Sequence, residues 1–461
     1  MIHNRTLALI AALGLAAIAC KDSTSVGDLN NVSAEAISGG LTRASTGLLV
    51  NGLLNASRGE LDSRYLVFTE TMARDFYRLD NAEARYISEI IGGPADFSAF
   101  TGGGAFSGMY VTIRSANTIL NSLPTATGLT TAEASATQGL VNTFKALAYY
   151  RVLETRDSLG IAIDVNHPID DPPAAFVCKP NALTYISALL DTASTQLAAG
   201  GASFPFTLPA GFSSNGSFTT PTAFLRFNRG LKGKVELYRG LDHSKPNTGS
   251  FATALTALNA ALTGAPAGPD GGLYNTYSTS ANESTNPLAD ANIYLNPAVG
   301  DSLQAGDTRA AKILTVTSKT LNQVTSKYKA VATDPAGALT RSIPVLKTSE
   351  LLLLRAQVKI ELGDLIGATA DINTVRASDG GLAAIAVPAS KKLAIDAVLY
   401  EKRYSLLGEN AHRLVDLRAY TRLNATFLKK ETTQDVFQTT LPIPKRELDA
   451  RNTTSIAPTC S

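Results

Sequence analysis

The chain has no tryptophan, and its 461 residues include only four histidines and three cysteines. Without tryptophan, any flat aromatic contact surface has to come from tyrosine or phenylalanine. The histidines, at positions 3, 167, 243 and 412, are too scattered for H-x-x-x-H or H-x-x-E-H spacing, so no metal or cofactor is expected. No G-x-S-x-G elbow and no nucleophilic cysteine context occurs, and Asp170-Asp171 cannot be assigned as catalytic acids without a spatial separation. Enzymatic activity is therefore not expected. Gly102-Gly103-Gly104 lacks a following Lys-Ser/Thr and reads as a flexible loop rather than a phosphate cradle. Charge is also sparse: 17% charged residues, a formal net charge of +2 and no basic tract give no reason to expect nucleic acid. What is present is 44% hydrophobic residues, enough for a large core and too many for a disordered chain.

The N-terminus is ordered like an export signal. His3, Asn4 and Arg5 form a polar, positive start, and the apolar stretch from Leu7 to Leu15 is too short to span a bilayer. Ala17-Ile18-Ala19 then precedes Cys20, which resembles the lipobox of bacterial lipoproteins. That resemblance implies a signal peptide over 1–19, cleavage before Cys20, acylation of Cys20 and a lipidated tether over 20–32. More than one acyl chain makes a stable membrane anchor. The plainer reading is an ordinary A-x-A cleavage site with Cys20 incidental. Lys21-Asp22 is similar to a short export signal of surface-exposed lipoproteins. In an oxidising compartment, Cys178 and Cys460 form either one disulfide or two unpaired thiols.

The most legible stretch is Thr348 to Asp379. Leu351, Leu354, Val358 and Leu362 make one helical stripe, and Leu352, Ala356 and Ile360 a second beside it, so the helix needs cover on more than one side. Gly363 ends it, Asp364 caps a second helix with the stripe Leu365, Ala368, Ile372 and Val375, and Gly380-Gly381 stops that one. The pair is an antiparallel hairpin of the kind that helical-repeat proteins stack. Lys232 to Gly240 echoes Arg355 to Gly363, each followed by an alanine-rich helix, which suggests TPR-like pairs separated by insertions. Further helices are expected at about 33–56, 60–80, 105–123, 131–156, 181–199, 222–240, 250–264 and 390–408. Gly264 to Arg341 is the largest non-helical tract, expected to be loop-rich and functional or disordered, with short strands at TVTS and SKYKAV.

Several motifs in order carry a family resemblance. Phe106-x-x-Met109-Tyr110-x-x-Ile113-x-x-Ala116-Asn117, Phe144-Lys145-Ala146-Leu147-Ala148-Tyr149-Tyr150, Ser349-Glu350-Leu351-Leu352 with Gly363-Asp364 and Asn373-x-Val375-Arg376, Glu401-Lys402-Arg403 with Glu409 and Asp416-Leu417-Arg418, and Leu441-Pro442-Ile443-Pro444 resemble the SusD/RagB family of outer-membrane nutrient-binding lipoproteins. Asn410 stands where the family usually has Gly, one extra residue precedes Arg413, and Ser405 replaces a common Glu. The resemblance implies a mainly α fold: TPR-like helix pairs in a SusD-like right-handed superhelical scaffold, with long irregular insertions and few short strands, as one domain over 33–461. It also implies a protein lipid-anchored at the outer membrane and facing out of the cell, that captures an oligosaccharide or peptide and delivers it to a SusC-like TonB-dependent transporter. The other reading is a TPR-like protein-interaction scaffold without a small ligand.

Sugar rings stack on exposed aromatic rings and hydrogen-bond to amides and carboxylates. Loop aromatics available for this are Phe97, Phe100, Tyr274, Tyr277 and Tyr294, with Asn275 and Asn282 nearby in sequence. Each has a plainer reading as a loop-packing residue. Glu401, Glu409, Arg413, Asp416 and Arg418 read as an ion-pair network of helix neighbours rather than a site.

Overall fold

The computed structural model describes residues 40–459 apart from 99, 169 and 267. The signal at 1–19, the tether at 20–32, Cys20 and Cys460 lie outside the described residues.

In chain order the elements are α1 (Arg43–Gly59), α2 (Ser63–Met72), β1 (Phe76–Arg78), α3 (Arg85–Ser88), α4 (Thr101–Ser122), α5 (Thr131–Arg156), β2 (Ile161–Ala162), β3 (Phe176–Val177), α6 (Lys179–Ala198), α7 (Pro221–Gly240) and α8 (Gly249–Leu262). There follow β4 (Gly272–Asn275), β5 (Ile293–Leu295), α9 (Pro297–Asp301), β6 (Ile313–Leu321), β7 (Val324–Ala330), α10 (Pro335–Ala338) and β8 (Ile343–Lys347). The chain ends with α11 (Thr348–Glu361), α12 (Leu365–Gly380), α13 (Lys391–Ser405), α14 (His412–Ala419) and α15 (Lys445–Ala450). The protein is mainly α-helical.

The helices pack in file. α1 lies against α4, α4 against α5, α5 against α6, α6 against α7, α7 against α8, α8 against α11, and α11 against α12 and α13. The two similar hairpins, far apart in sequence, are therefore direct neighbours through α8 and α11. Glycine sets the approach of α7 to α8: a Cβ on Gly233 would meet Leu258 Cγ at 2.4 Å.

The hairpin of α11 and α12 has the two covered faces its stripes require. Leu351, Leu354 and Val358 join the main core, whereas Leu353, Ala356 and Ile360 pack with Ala368, Ile372 and Val375 of α12 and Val398 of α13. Leu362 departs from its stripe: it is exposed, because the helix ends one residue before it and the chain turns away. Gly363 takes φ +85°, a left-handed conformation cheap only for glycine, and Asp364 accepts a hydrogen bond from the Gly367 N–H at 2.8 Å.

Other boundaries differ from the sequence reading. The helix expected over 60–80 stops at Met72, and Phe76–Arg78 becomes a strand paired with Ile293–Leu295. Gly102-Gly103-Gly104 is not a loop but the first turn of α4, bent where Ala105 leaves helical geometry. The end of LPIPKREL is helical rather than extended.

The tract from 264 to 341 carries strands at TVTS and SKYKAV as expected, in β6 and β7, and is more ordered than a loop-rich insertion. β5, β7 and β6 join β1 in a sheet of order β1-β5-β7-β6, while β4 pairs antiparallel with β8. Asn322 and Gln323 both have positive φ, as a two-residue hairpin turn between β6 and β7 requires. The strands not anticipated, β4 and β5, are four and three residues long and almost wholly buried, so they carry no period-2 alternation.

Candidate functional site

The insertion and the bend after α13 line an open cavity of about 400 Å³. One wall is the β4–β8 pair, whose register shifts between Leu273 and Tyr274. Leu273 sits in the main core, and Tyr274 lines the cavity. A short helical turn ending at Lys312 and the bend Leu407-Gly408-Glu409 after α13 supply the opposite wall.

The polar lining of the cavity includes five charged side chains, Asp270, Lys312, Arg341, Lys347 and Glu409. The Tyr274 hydroxyl donates to the Asp270 carbonyl at 2.7 Å, and burial pushes it up to about 12. Asn215 stands beside it at the rim. Asn286 is fixed at both ends of its amide: it donates to the Arg341 carbonyl at 3.1 Å and accepts from the Leu288 N–H at 2.9 Å.

Two lysines enter the cavity and behave oppositely. Burial opposes the charge on Lys347, but the Glu409 carboxylate 2.7 Å away outweighs it and pushes the ammonium up to about 12. Lys312 donates to the carbonyls of Tyr404 at 3.0 Å and Ser405 at 2.8 Å, the last residues of α13. The partial negative charge of a helix C-terminus favours a cation there. Burial still dominates, and Lys312 is lowered to about 8.

The five loop aromatics do not converge. Tyr274 lines this cavity. Phe97, 52% exposed, lines a second cavity of about 370 Å³ with Arg64, Lys445 and Arg446. Phe100 is a packing residue, edge-on to Phe68 and Tyr86 with the Arg85 guanidinium 4.2 Å over its ring. Tyr277 is buried under Arg58, and Tyr294 is buried among Tyr77, Ile87 and Val324 with Lys329 4.7 Å from its ring centre. The packing alternative is correct for those three. Sequence reasoning missed Lys312, Lys347 and Arg341; Lys347 ends an apolar strand and starts a helix, which gave no signal that its ammonium turns inward.

The acidic and basic run near the C-terminus is a network, but not of helix neighbours. Glu409 precedes α14 and pairs with Lys347 instead of Arg413, and Arg413 faces Asp75 at 3.8 Å. Asp416 holds Lys402 at 2.7 Å, Glu401 holds both Arg309 and Arg376, and Arg418 donates to the Glu154 and Thr439 carbonyls. These are buried cross-links between distant segments. Asn410, in place of a glycine, has φ +53°, a region asparagine tolerates better than most residues, and its amide donates to the Pro344 carbonyl at 3.1 Å. Ser405 accepts from Arg309 at 2.9 Å.

Cys178 is disulfide-bonded. Its N–H donates to the Thr459 carbonyl at 2.9 Å, and Val177 bridges Thr459 in parallel. Among the described residues no helix is long and apolar enough to cross a membrane, and no group of three metal-ligating side chains occurs.

This architecture defines a class: a file of antiparallel helix pairs carrying a sheet-forming insertion over a polar cavity. No protein-family model and no curated protein matches the sequence. Solved structures do match. A SusD superfamily protein from Bacteroides thetaiotaomicron aligns at TM-score 0.69 and 16% identity, covering 90% of this chain and 100% of that one. A SusD superfamily protein from Bacteroides vulgatus aligns at TM-score 0.68 and 16% identity over 89% and 98% of the two chains. Surface glycan-binding protein A from Bacteroides thetaiotaomicron, solved in complex with laminarihexaose, aligns at TM-score 0.64 and 13% identity over 88% and 98%. The chain has the SusD-superfamily fold.

Proposed function

We propose that this protein is a lipoprotein, anchored through Cys20 and facing outward from the outer membrane, that captures oligosaccharides and passes them to a SusC-like TonB-dependent transporter. The observation that carries this reading is the SusD fold over about nine-tenths of the chain, with a polar cavity built by the insertion. Similar folds include a surface glycan-binding protein and a putative sugar-binding protein. In this reading the helix pairs are scaffold and do not touch the ligand. Recognition belongs to the cavity, which Tyr274 lines and where Asn215, Asp270 and the lysines meet hydroxyls. The role is binding, with no chemical step.

The test is an array of oligosaccharides and peptides probed with the lipid-free chain from Asp22 onward. Retention of oligosaccharides is expected. Retention of peptides alone would replace the substrate class, and retention of neither would favour an interaction scaffold.

A further inference from the structure

The cavity holds more positive than negative charge, and the surplus is not committed to the protein. Its charged lining residues are Lys312, Arg341 and Lys347 against Asp270 and Glu409. Lys347 is occupied by Glu409 at 2.7 Å and lies 3.7 Å from Asp270, whose side chain is largely in solvent. Lys312 and Arg341 make no ion pair among the described residues. An ammonium has three N–H donors, and Lys312 spends two on the carbonyls of α13, leaving one for the cavity. The exposed Arg341 side chain makes no hydrogen bond among the described residues, so its planar fork is open to an oxyanion.

We propose that this cavity selects an acidic oligosaccharide, whose carboxylate or sulfate ester is bound by the Lys312 ammonium and the Arg341 guanidinium. The inference rests on the oligosaccharide reading above and narrows its substrate class. A neutral sugar would leave a half-buried ammonium without a counter-charge, whereas an anion compensates it. Glu409 does not block the anion, because Lys347 already neutralises it. Asp270 is solvated and screened.

The same geometry predicts how binding responds to pH. Burial lowers free Lys312 to about 8; Glu409 and Asp379 act to raise it, and Lys347 and Arg309 to lower it. Tyr274, pushed up to about 12, stays neutral through this range. As pH rises through about 8 the unliganded site loses its ammonium, so affinity for an acidic ligand falls between pH 7 and 9. Binding at pH 8 takes up protons.

The experiment is calorimetric titration of the lipid-free chain with four probes: hexagalacturonate, its methyl ester, a sulfated galactan hexasaccharide lacking carboxylate, and laminarihexaose. An acidic probe is expected to bind at least about tenfold tighter than both neutral ones, about 1.4 kcal/mol. The two acidic probes distinguish carboxylate from sulfate. Arg341→Gln, on an exposed side chain, and Lys312→Met should each cut acidic affinity about tenfold. Binding of both acidic probes no tighter than the neutral ones, or an unchanged acidic affinity in Arg341→Gln, overturns this inference and leaves the oligosaccharide reading standing. Binding of none of the probes, with a blank oligosaccharide array, overturns both.

Discussion

Lys347 and Glu409 meet at 2.7 Å, tying the end of β8 to the turn after α13. The lysine side chain is 4% exposed and the carboxylate 15%, so the pair is shielded from water at one end only. Breaking such a pair strands a charge. Lys347→Met is expected to destabilise the fold by roughly 3 kcal/mol, and Glu409→Gln by less, in reversible denaturant unfolding. The ammonium is raised above its unfolded value, so its contribution is present below about pH 10 and is lost as pH rises through about 12. The two variants melting like the wild type would show that this contact is incidental.

His412 gives a pH dependence on the acid side. It is buried, and burial together with Lys234, Lys402 and Lys347 holds it well below the usual imidazole range. The unfolded chain binds a proton near pH 6.5 that the folded chain refuses. Stability from this residue is therefore full above about 6.5 and declines as pH falls below it. His412→Gln should flatten the stability profile between pH 5 and 7, whatever its effect on absolute stability. Parallel profiles for the two proteins would exclude a buried neutral imidazole.

Glycine substitutions separate packing from propensity. A Cβ on Gly233 meets Leu258 at 2.4 Å, whereas one on Gly52 of α1 meets nothing within 4 Å. Gly233→Ala should cost about 1–3 kcal/mol through overpacking. Gly52→Ala should be neutral or stabilising by up to about 1 kcal/mol. Thermal melts of both variants check the contrast, and equal shifts would contradict the close approach of α7 to α8.

We propose that Cys178 pairs with Cys460. Support comes from the disulfide-bonded state of Cys178 and from Thr459, whose carbonyl accepts its N–H at 2.9 Å. Non-reducing peptide mapping should recover the two segments linked, and Cys178→Ser should cost about 2–5 kcal/mol. A free Cys178 thiol would refute the pairing.

The scaffold was legible in the sequence because its helices are long and each stripe has one fixed neighbour. The hairpin at 348–380 could be read almost to the residue, since Gly363, Asp364 and Gly381 mark its ends chemically. The cavity was legible only at Tyr274. Lys312, Arg341 and Lys347 come from separate segments joined by strand pairing and loop closure, which no local pattern encodes. Glu409 was visible, but its partner lies 62 positions away instead of four.

Titration calorimetry of the best-retained oligosaccharide against wild type, Tyr274→Ala and Phe97→Ala tests most directly whether recognition belongs to the cavity under the insertion. Tyr274→Ala, with its fold checked by melting, is expected to weaken binding at least about tenfold, and Phe97→Ala to leave it within about twofold. The reverse ranking, with Phe97→Ala abolishing binding and Tyr274→Ala silent, would contradict the proposal and move the site to the second cavity.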